Sequence, residues 1–233
     1  MVLIRLLAVD IDGTLSFDDR RLDLVAVDAI RRAEDFGISV VIATGNILGF
    51  AEAASILIGT SGPLIAEDGG VVFDPVKEQM YVLGNRADVE PGLAKLERVL
   101  GKLEQTRNSL YRLTGVTLKK KIKVEDVQRV IKEENLPIVA VYSGFSIGLH
   151  RPEVNKGNAL KKVSSITGVP LAEIAAIGDG SNDVEMLQIA GLSFAVANSH
   201  EEAKLASKRV TKSSYGKGVA EAVDEIIKSS GGP

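Results

Sequence analysis

Two short acidic segments contain the residue types that could bind a divalent cation. Asp10 and Asp12 lie two residues apart in Asp-Ile-Asp-Gly-Thr, directly after an apolar run, and Asp179 and Asp183 lie in Gly-Asp-Gly-Ser-Asn-Asp, after another. Carboxylates held close together repel one another, so such a group needs a cation or a shared proton. Mg²⁺ is the natural candidate, because it prefers oxygen ligands and retains several waters.

Each acidic segment also has an ordinary structural interpretation. An Asp-x-Asp sequence before glycine is typical of polar turns, and Asp183 could cap the helix that follows it, even while it serves a metal. A calcium loop is excluded, because its glycine falls at the sixth position, whereas Gly13 is the fourth residue of its segment. Taken alone, the acidic segments therefore leave both a cation site and a polar turn open.

Three further groups are of the kind that surrounds a phosphoryl group. Thr44 and Gly45 follow a third apolar run, and Lys156 precedes a predicted helix. A hydroxyl, a glycine amide and an ammonium group can bind phosphoryl oxygens. Singly, a Thr-Gly pair is usually a turn and a lysine before a helix is usually a solvated charge. Their order along the chain, between the two acidic segments, favours phosphoryl chemistry.

The elements that must position these residues alternate between strand and helix. Apolar runs at residues 3–9, 38–43 and 174–177 predict buried parallel strands, and residues 24–36 place apolar side chains at helical spacing on one face. This alternation predicts the α/β fold class, with a doubly wound, mostly parallel sheet. Ligands bind such sheets at the carboxyl ends of the strands, where the acidic segments would meet.

The middle of the chain predicts an inserted, smaller α+β domain at residues 84–151. Two amphipathic helices are followed by a hairpin of residues 138–142 and 145–149, joined by Ser143-Gly144 as a two-residue turn. A hairpin is foreign to a parallel βαβ series, so the insertion should form a separate unit. The predicted main domain comprises residues 1–83 and 152–233.

The composition limits the classes of ligand and the cellular compartment that we expect. The 233 residues have a net charge of -3 and include no cysteine. Without a broad cationic field, neither nucleic acid nor an anionic membrane is an expected partner, and no apolar stretch reaches the roughly 18 residues of a membrane span. A metal would need oxygen or histidine ligands. We expect a cytoplasmic protein that binds a small phosphorylated metabolite.

Taken in order, the four motifs resemble those of phosphatases of the haloacid dehalogenase superfamily, over essentially the whole chain. The resemblance is to the Cof-like, type IIB subgroup, whose cap domain is inserted between the threonine and lysine motifs. It implies a covalent aspartyl phosphate on Asp10, with Asp12 as general acid and base. It implies Mg²⁺ bound by Asp10, the backbone carbonyl of Asp12 and Asp179, with Asp183 as a further ligand or supporting partner. The implied phosphate-binding residues are Thr44, Gly45, Lys156 and Asn182.

The short cap and Asn46 are most similar to archaeal phosphoglycolate phosphatases, so 2-phosphoglycolate is the first expected substrate. Many relatives have arginine at the position of Asn46 and asparagine at that of Asp68. The substrates of sugar phosphatases with larger caps are therefore a poor guide to the substrate of this chain. Sugar phosphates remain the alternative within the family. From other classes, the alternatives are a phosphomutase and a signalling module phosphorylated on aspartate, although a receiver domain is much shorter and lacks a cap.

The cap should act as a lid that contacts the substrate beyond its phosphate. The basic run Lys119–Lys121, with Lys123, could bind a substrate carboxylate, although such runs are also typical of a solvated face. An exposed apolar cap face could support a homodimer. Two arginines are further substrate candidates and two histidines are assigned structural roles: Arg112, Arg151, His150 and His200.

Overall fold

The computed structural model describes residues 3–231. Its strands are β1 (Leu6–Val9), β2 (Ser39–Ala43), β3 (Leu64–Ala66), β4 (Val71–Asp74), β5 (Gln79–Val82), β6 (Gly115–Lys119), β7 (Val139–Tyr142), β8 (Ser146–His150), β9 (Ile174–Gly178), β10 (Leu192–Ala195) and β11 (Arg209–Val210). Its α-helices are α1 (Leu24–Asp35), α2 (Leu48–Ile58), α3 (Glu90–Leu100), α4 (Val124–Glu133), α5 (Lys156–Thr167), α6 (Val184–Ile189), α7 (Glu201–Ala206) and α8 (Tyr215–Ser229).

Eight strands form one sheet in the order β11-β10-β9-β1-β2-β3-β4-β5. β1 is central and pairs in parallel with β2 on one side and with β9 on the other, so the chain changes direction across the sheet at β1. Ligands bind at such switch points, beyond the carboxyl ends of the strands. The predicted doubly wound, mostly parallel sheet is confirmed. The antiparallel edge formed by β4 and β5 was not predicted.

Helices cover both faces of this sheet, which explains the uninterrupted apolar strands. On one face the sheet packs against α1, α2 and α8, and on the other against α5, α6 and α7. All four residues of β1 are buried, as expected for a parallel strand covered on both faces. Over residues 3–231, none of the helices is long and apolar enough to cross a lipid bilayer.

A second, antiparallel sheet in the order β6-β8-β7 is formed by the inserted segment. It has its own hydrophobic cluster, to which α3 and α4 contribute. The predicted hairpin is present, but the turn lies one residue later than predicted. The Ser143 amide donates to the Ser146 carbonyl at 3.1 Å, so Gly144 and Phe145 are the two central residues. The reason is that Gly144 adopts a φ of 83°, which glycine tolerates without a steric penalty.

Buried charged groups tie the insertion to the main sheet. After β3, Glu67 accepts hydrogen bonds from the backbone amides of Leu113 and Thr114, each at 3.0 Å. Its neighbour Asp68 accepts from Nη2 of Arg112 at 3.0 Å. Arg112 is only 4% exposed, so this ion pair is an interior link between the insertion and the loop after β3.

Candidate active site

The predicted site residues converge at the carboxyl ends of three adjacent strands. Asp10 and Asp12 follow β1, Thr44 and Gly45 follow β2, and the second acidic segment follows β9. A cavity of about 390 Å³ lies at this edge. The main sheet and the insertion both contribute to its wall, which includes Asp10, Asp12, Arg20, Gly45, Lys120, Tyr142, Phe145, Asp179, Asn182 and His200.

Lys156, the first residue of α5, is fully buried and bonded to two carboxylates. Its Nζ lies 2.6 Å from Oδ1 of Asp10 and 2.6 Å from Oδ1 of Asp183. Burial alone would lower the pKa of this ammonium group, but the two carboxylates outweigh burial and raise the pKa. A buried charge is tolerated only when it is paired in this way. The predicted solvated alternative for this lysine is therefore wrong.

Three of the predicted acidic residues form a cluster that could hold a metal ion. Carboxylate oxygens of Asp10, Asp179 and Asp183 all lie within 4.8 Å of one another. Burial is the main cause that raises the pKa of Asp10, with further repulsion from Asp183, Asp179 and Asp12, and Lys156 opposes the rise. Burial, followed by repulsion from Asp183, raises the pKa of Asp179 to about 7.

The donor set of this cluster fits a hard divalent cation. All three side chains offer oxygen, which Mg²⁺ and Ca²⁺ prefer over nitrogen or sulfur. With Asp12 there are four carboxylates, and within residues 3–231 their ion-pair partners are the ammonium group of Lys156 and the guanidinium group of Arg20, so negative charge is in excess. An additional cation would relieve this repulsion and favour the ionised carboxylates.

The loops after β1 and β9 fit together so closely that glycine is required at Gly13. Gly13 has a φ of 90°, and a Cβ atom there would lie 2.3 Å from Oδ2 of Asp179. Beside it, Thr14 Oγ1 donates to Oδ1 of Asp179 at 2.8 Å. Oδ2 of Asp183 accepts from the amides of Asp179 and Gly180 at 3.0 and 2.9 Å. Because the two aspartates are four residues apart, Asp183 can accept these hydrogen bonds and thereby stabilise the loop that contains Asp179.

Asp12 has different hydrogen-bond partners from the acidic triad of Asp10, Asp179 and Asp183. Its carboxylate accepts from Nε of Arg20 at 2.9 Å and from Nδ2 of Asn46 at 2.8 Å. The Arg20 guanidinium carbon lies 4.0 Å from the ring centre of Phe145, at the tip of the hairpin in the insertion. Arg20 thus links an aspartate of the main sheet to the insertion. Sequence analysis missed it, because it stands among four consecutive charged loop residues with no periodicity to distinguish it.

The predicted phosphate-binding residues line or support the same cavity. Thr44 is fully buried, and its Oγ1 accepts from the side chain of Asn46 at 3.0 Å. Gly45 and Asn182 line the cavity. A Cβ atom at Gly45 would lie 2.6 Å from Oδ1 of Asp68, so a side chain there would displace the Asp68 carboxylate.

Asp68 joins this group to the insertion. It accepts from Nδ2 of Asn182 at 3.3 Å and from Arg112, and Nη1 of Arg112 also donates to the Gly45 carbonyl at 2.7 Å. Burial would raise the pKa of Asp68, but Arg112 is the main group that holds it below its usual value, helped by His150 and Lys156. Arg112 is therefore bonded to Gly45 of the cavity wall and to Asp68, and neither Arg112 nor Asp68 is among the residues that line the cavity.

The remaining candidates separate into cavity and non-cavity residues. Arg151 pairs with Glu153 at 3.2 Å and donates to the Pro137 carbonyl at 2.8 Å, away from the cavity wall. His150 is buried, with Nδ1 3.0 Å from the Arg151 carbonyl. His200 lines the cavity, and its backbone amide donates to the Asp179 carbonyl at 2.9 Å.

A family model, curated relatives and a solved structure all relate this chain to the same family of proteins. A family model for haloacid dehalogenase-like hydrolases matches residues 7–91 and 94–223. The phosphoglycolate phosphatase of Methanothermobacter thermautotrophicus is 38% identical over 96% of this chain and 99% of that protein. That of Archaeoglobus fulgidus is 38% identical over 93% of this chain and 94% of that protein. A crystal structure of Thermoplasma acidophilum 0175 superimposes with a TM-score of 0.85 and 29% identity, covering 96% and 98% of the two chains. The chain belongs to the haloacid dehalogenase-like hydrolase family.

Proposed function

We propose that this chain is a Mg²⁺-dependent phosphomonoester hydrolase that converts 2-phosphoglycolate and water to glycolate and phosphate. The observation that carries the proposal is the buried Lys156 ammonium group, bonded at 2.6 Å to Asp10 and Asp183 beside the cavity. A fixed positive charge next to a carboxylate is what an in-line attack on a phosphorus atom requires, since phosphoryl transfer depends mostly on positioning and charge neutralisation.

Asp10 is the proposed nucleophile and Asp12 the proposed general acid and base. In the first step, a carboxylate oxygen of Asp10 bonds to phosphorus, the bond from phosphorus to the ester oxygen breaks, and Asp12 donates its proton to that oxygen. In the second step, a water oxygen bonds to phosphorus, a water proton passes to Asp12, and the bond between phosphorus and Asp10 breaks. Arg20 and Asn46 position the Asp12 carboxylate for both proton transfers.

The other site residues hold the charges in place. Asp10, Asp179 and the backbone carbonyl of Asp12 are the proposed Mg²⁺ ligands. When bound, Mg²⁺ neutralises charge on the transferring phosphoryl group. Asp183 already accepts three hydrogen bonds, so we assign it the positioning of Lys156 and of the Asp179 loop. The proposed phosphate-binding groups are Thr44, Gly45, Lys156 and Asn182.

Residues 84–151 are the proposed cap domain, set into a main domain of residues 1–83 and 152–233. Lys120 and Phe145, at the hairpin tip, line the same cavity as Asp10, Asp12 and Asp179. A cap placed there would exclude water and contact the substrate beyond its phosphate. The cap also exposes Leu110 and Tyr111, and these apolar side chains are where we place the contact of a homodimer.

Phosphoglycolate is chosen because full-length relatives carry that name and because the cap is short. With Mg²⁺ present, kcat/KM for 2-phosphoglycolate should exceed that for glucose 6-phosphate by about tenfold or more, as for a site that discriminates by fit. Phosphate release from a panel of phosphomonoesters measures this ratio. A higher kcat/KM for hexose phosphates than for 2-phosphoglycolate would contradict the proposed substrate and indicate a sugar-phosphate phosphatase.

Removing Mg²⁺ should abolish phosphate release, and adding it back should restore both activity and a more heat-resistant fold. Ligand binding to the native state alone stabilises by about 2.7 kcal/mol at a free concentration of about 100 Kd. The thermal unfolding midpoint, measured with EDTA and with Mg²⁺, reports binding without relying on activity.

Asp179→Asn should lose most of this Mg²⁺-dependent shift, because it removes one carboxylate of the triad. Asp19→Asn is the matched control, since Asp19 is exposed and pairs with Arg21 at 2.7 Å, outside the acidic cluster. Equal shifts in the two variants would contradict the assigned metal site.

A further inference from the structure

We propose that Lys120 binds a carboxylate of the substrate and thereby selects phosphomonoesters that carry a second anionic group. The inference rests on the proposed phosphatase function and assigns the recognition of the substrate beyond its phosphate to one side chain of the insertion.

Lys120 stands in the wall of the cavity that contains the catalytic carboxylates. It follows β6 and lines the same cavity of about 390 Å³ as Asp10 and Asp179. Its Nζ lies 5.0 Å from the ring centre of Tyr142, another residue of that wall. Because Lys120 and Tyr142 both belong to the insertion, the ammonium group lies beside the part of the cavity wall that the insertion contributes.

The two neighbouring lysines have a different role. Nζ of Lys119 lies 3.0 Å from Oε2 of Glu104, and Nζ of Lys121 lies 2.5 Å from Oε1 of the same carboxylate. These hydrogen bonds, first from Lys121 and then from Lys119, lower the pKa of Glu104 to about 2. Within residues 3–231, Lys120 has no carboxylate within ion-pair distance. In the basic run, Lys119 and Lys121 thus form surface ion pairs with Glu104, whereas Lys120 lines the cavity.

Arg20, another cationic side chain in the cavity wall, already has an ion-pair partner. Arg20 pairs with Asp12 at 2.9 Å and stacks on Phe145. If Arg20 bound the substrate carboxylate, Asp12 would lose one of the two donors that position it. Lys120 is therefore the cavity cation whose charge can be given to a ligand without dismantling the catalytic group.

The charge of the cavity makes such a cation necessary. Four carboxylates border it, from Asp10, Asp12, Asp18 and Asp179. A second anionic group on the substrate would be repelled by them unless a cation met it. An ammonium group hydrogen-bonded to a carboxylate supplies that attraction and gives charge-assisted selectivity. A neutral substrate of the same length would gain nothing from Lys120.

The test compares 2-phosphoglycolate with 2-hydroxyethyl phosphate, which replaces the carboxylate with an uncharged hydroxymethyl group. The readout is the ratio of kcat/KM for the two esters. In Lys120→Gln this ratio should fall by about tenfold or more, the loss expected for one hydrogen bond between charged groups. Lys120→Arg should recover most of it, because the charge is retained. Lys121→Gln is the matched control and should keep the wild-type ratio.

The outcomes separate this inference from the proposed function. If wild-type protein hydrolyses neither ester with Mg²⁺, the proposed phosphatase function is wrong. If it hydrolyses both with similar kcat/KM, the phosphatase function stands and carboxylate selection is overturned. If wild-type protein prefers 2-phosphoglycolate and Lys120→Gln keeps the full preference, another group binds the carboxylate. Circular dichroism spectra of all variants check that the folded state is unchanged.

Discussion

Asp10→Asn should lose turnover by a factor on the order of 10⁴ or more, as when a covalent nucleophile is removed from other enzymes, while the protein stays folded. Asparagine has the shape of aspartate, but its amide oxygen cannot form the aspartyl phosphate. Folding should be retained because an uncharged side chain relieves the repulsion that Asp10 experiences from three nearby carboxylates. Lys156 keeps its second partner, Asp183. Steady-state phosphate release and the thermal unfolding midpoint measure the two effects.

Chemical trapping makes this test specific for the covalent step. Wild-type protein quenched in acid during turnover of labelled substrate should carry phosphate on one aspartate, and peptide mapping should place it on Asp10. The variant should carry none. Mass spectrometry of the purified variant must exclude deamidation back to aspartate, which would restore activity in a small fraction. A verified Asp10→Asn protein with kcat within about tenfold of wild type, a loss below 1.4 kcal/mol, would refute the covalent mechanism.

Most of the main sheet could be predicted from the sequence, because its order follows from simple periodicity. Buried parallel strands read as continuous apolar runs, and β1, β2 and β9 were located within a few residues. The antiparallel strands β4 and β5 were missed, since β5 lies at the sheet edge and is largely exposed. The predicted apolar face of α1 was correct for its alanines and for Ile30, but Phe36 is 38% exposed at the helix end.

The acidic part of the site could be predicted because the motifs follow strands that are neighbours in space. The order of the sheet brings the ends of β9, β1 and β2 together, so side chains far apart in sequence meet at one edge. The contacts that depend on tertiary placement of a loop could not be predicted. Arg20 reaches Asp12, and Arg112 reaches Asp68 and Gly45, across distances that no local pattern encodes.

These contacts connect the insertion to the edge of the main sheet that borders the cavity. Arg112 donates both to the Gly45 carbonyl and to Asp68, while Asp68 also accepts from Asn182. Arg20 connects Asp12 with Phe145 of the hairpin. The insertion is therefore bonded at two points to residues of the cavity wall, which makes its position a direct determinant of the geometry there.

Lys156→Met should both destabilise the protein and abolish phosphate release. The ammonium group is fully buried between Asp10 and Asp183, and methionine fills similar space without a charge. Removing one partner of a buried ion pair costs about 3–5 kcal/mol, because the other charge is left uncompensated. For a chain of this size, each kcal/mol lowers the unfolding midpoint by about 2–4 °C. Thermal and urea unfolding in EDTA measure this loss without any contribution from bound metal.

Two comparisons separate the charge effect from a loss of packing. Lys161→Met changes an exposed lysine of the same helix, whose Nζ donates to the uncharged Asn158 side chain at 3.0 Å, and should change stability by less than about 0.5 kcal/mol. Adding Asp183→Asn to Lys156→Met should recover part of the lost stability, because it removes one of the two uncompensated carboxylates. If Lys156→Met and Lys161→Met unfolded at the same urea concentration, the buried ammonium group would have no role in holding the acidic residues together. Phosphate binding and attack at Asp10 would then have to be explained without it.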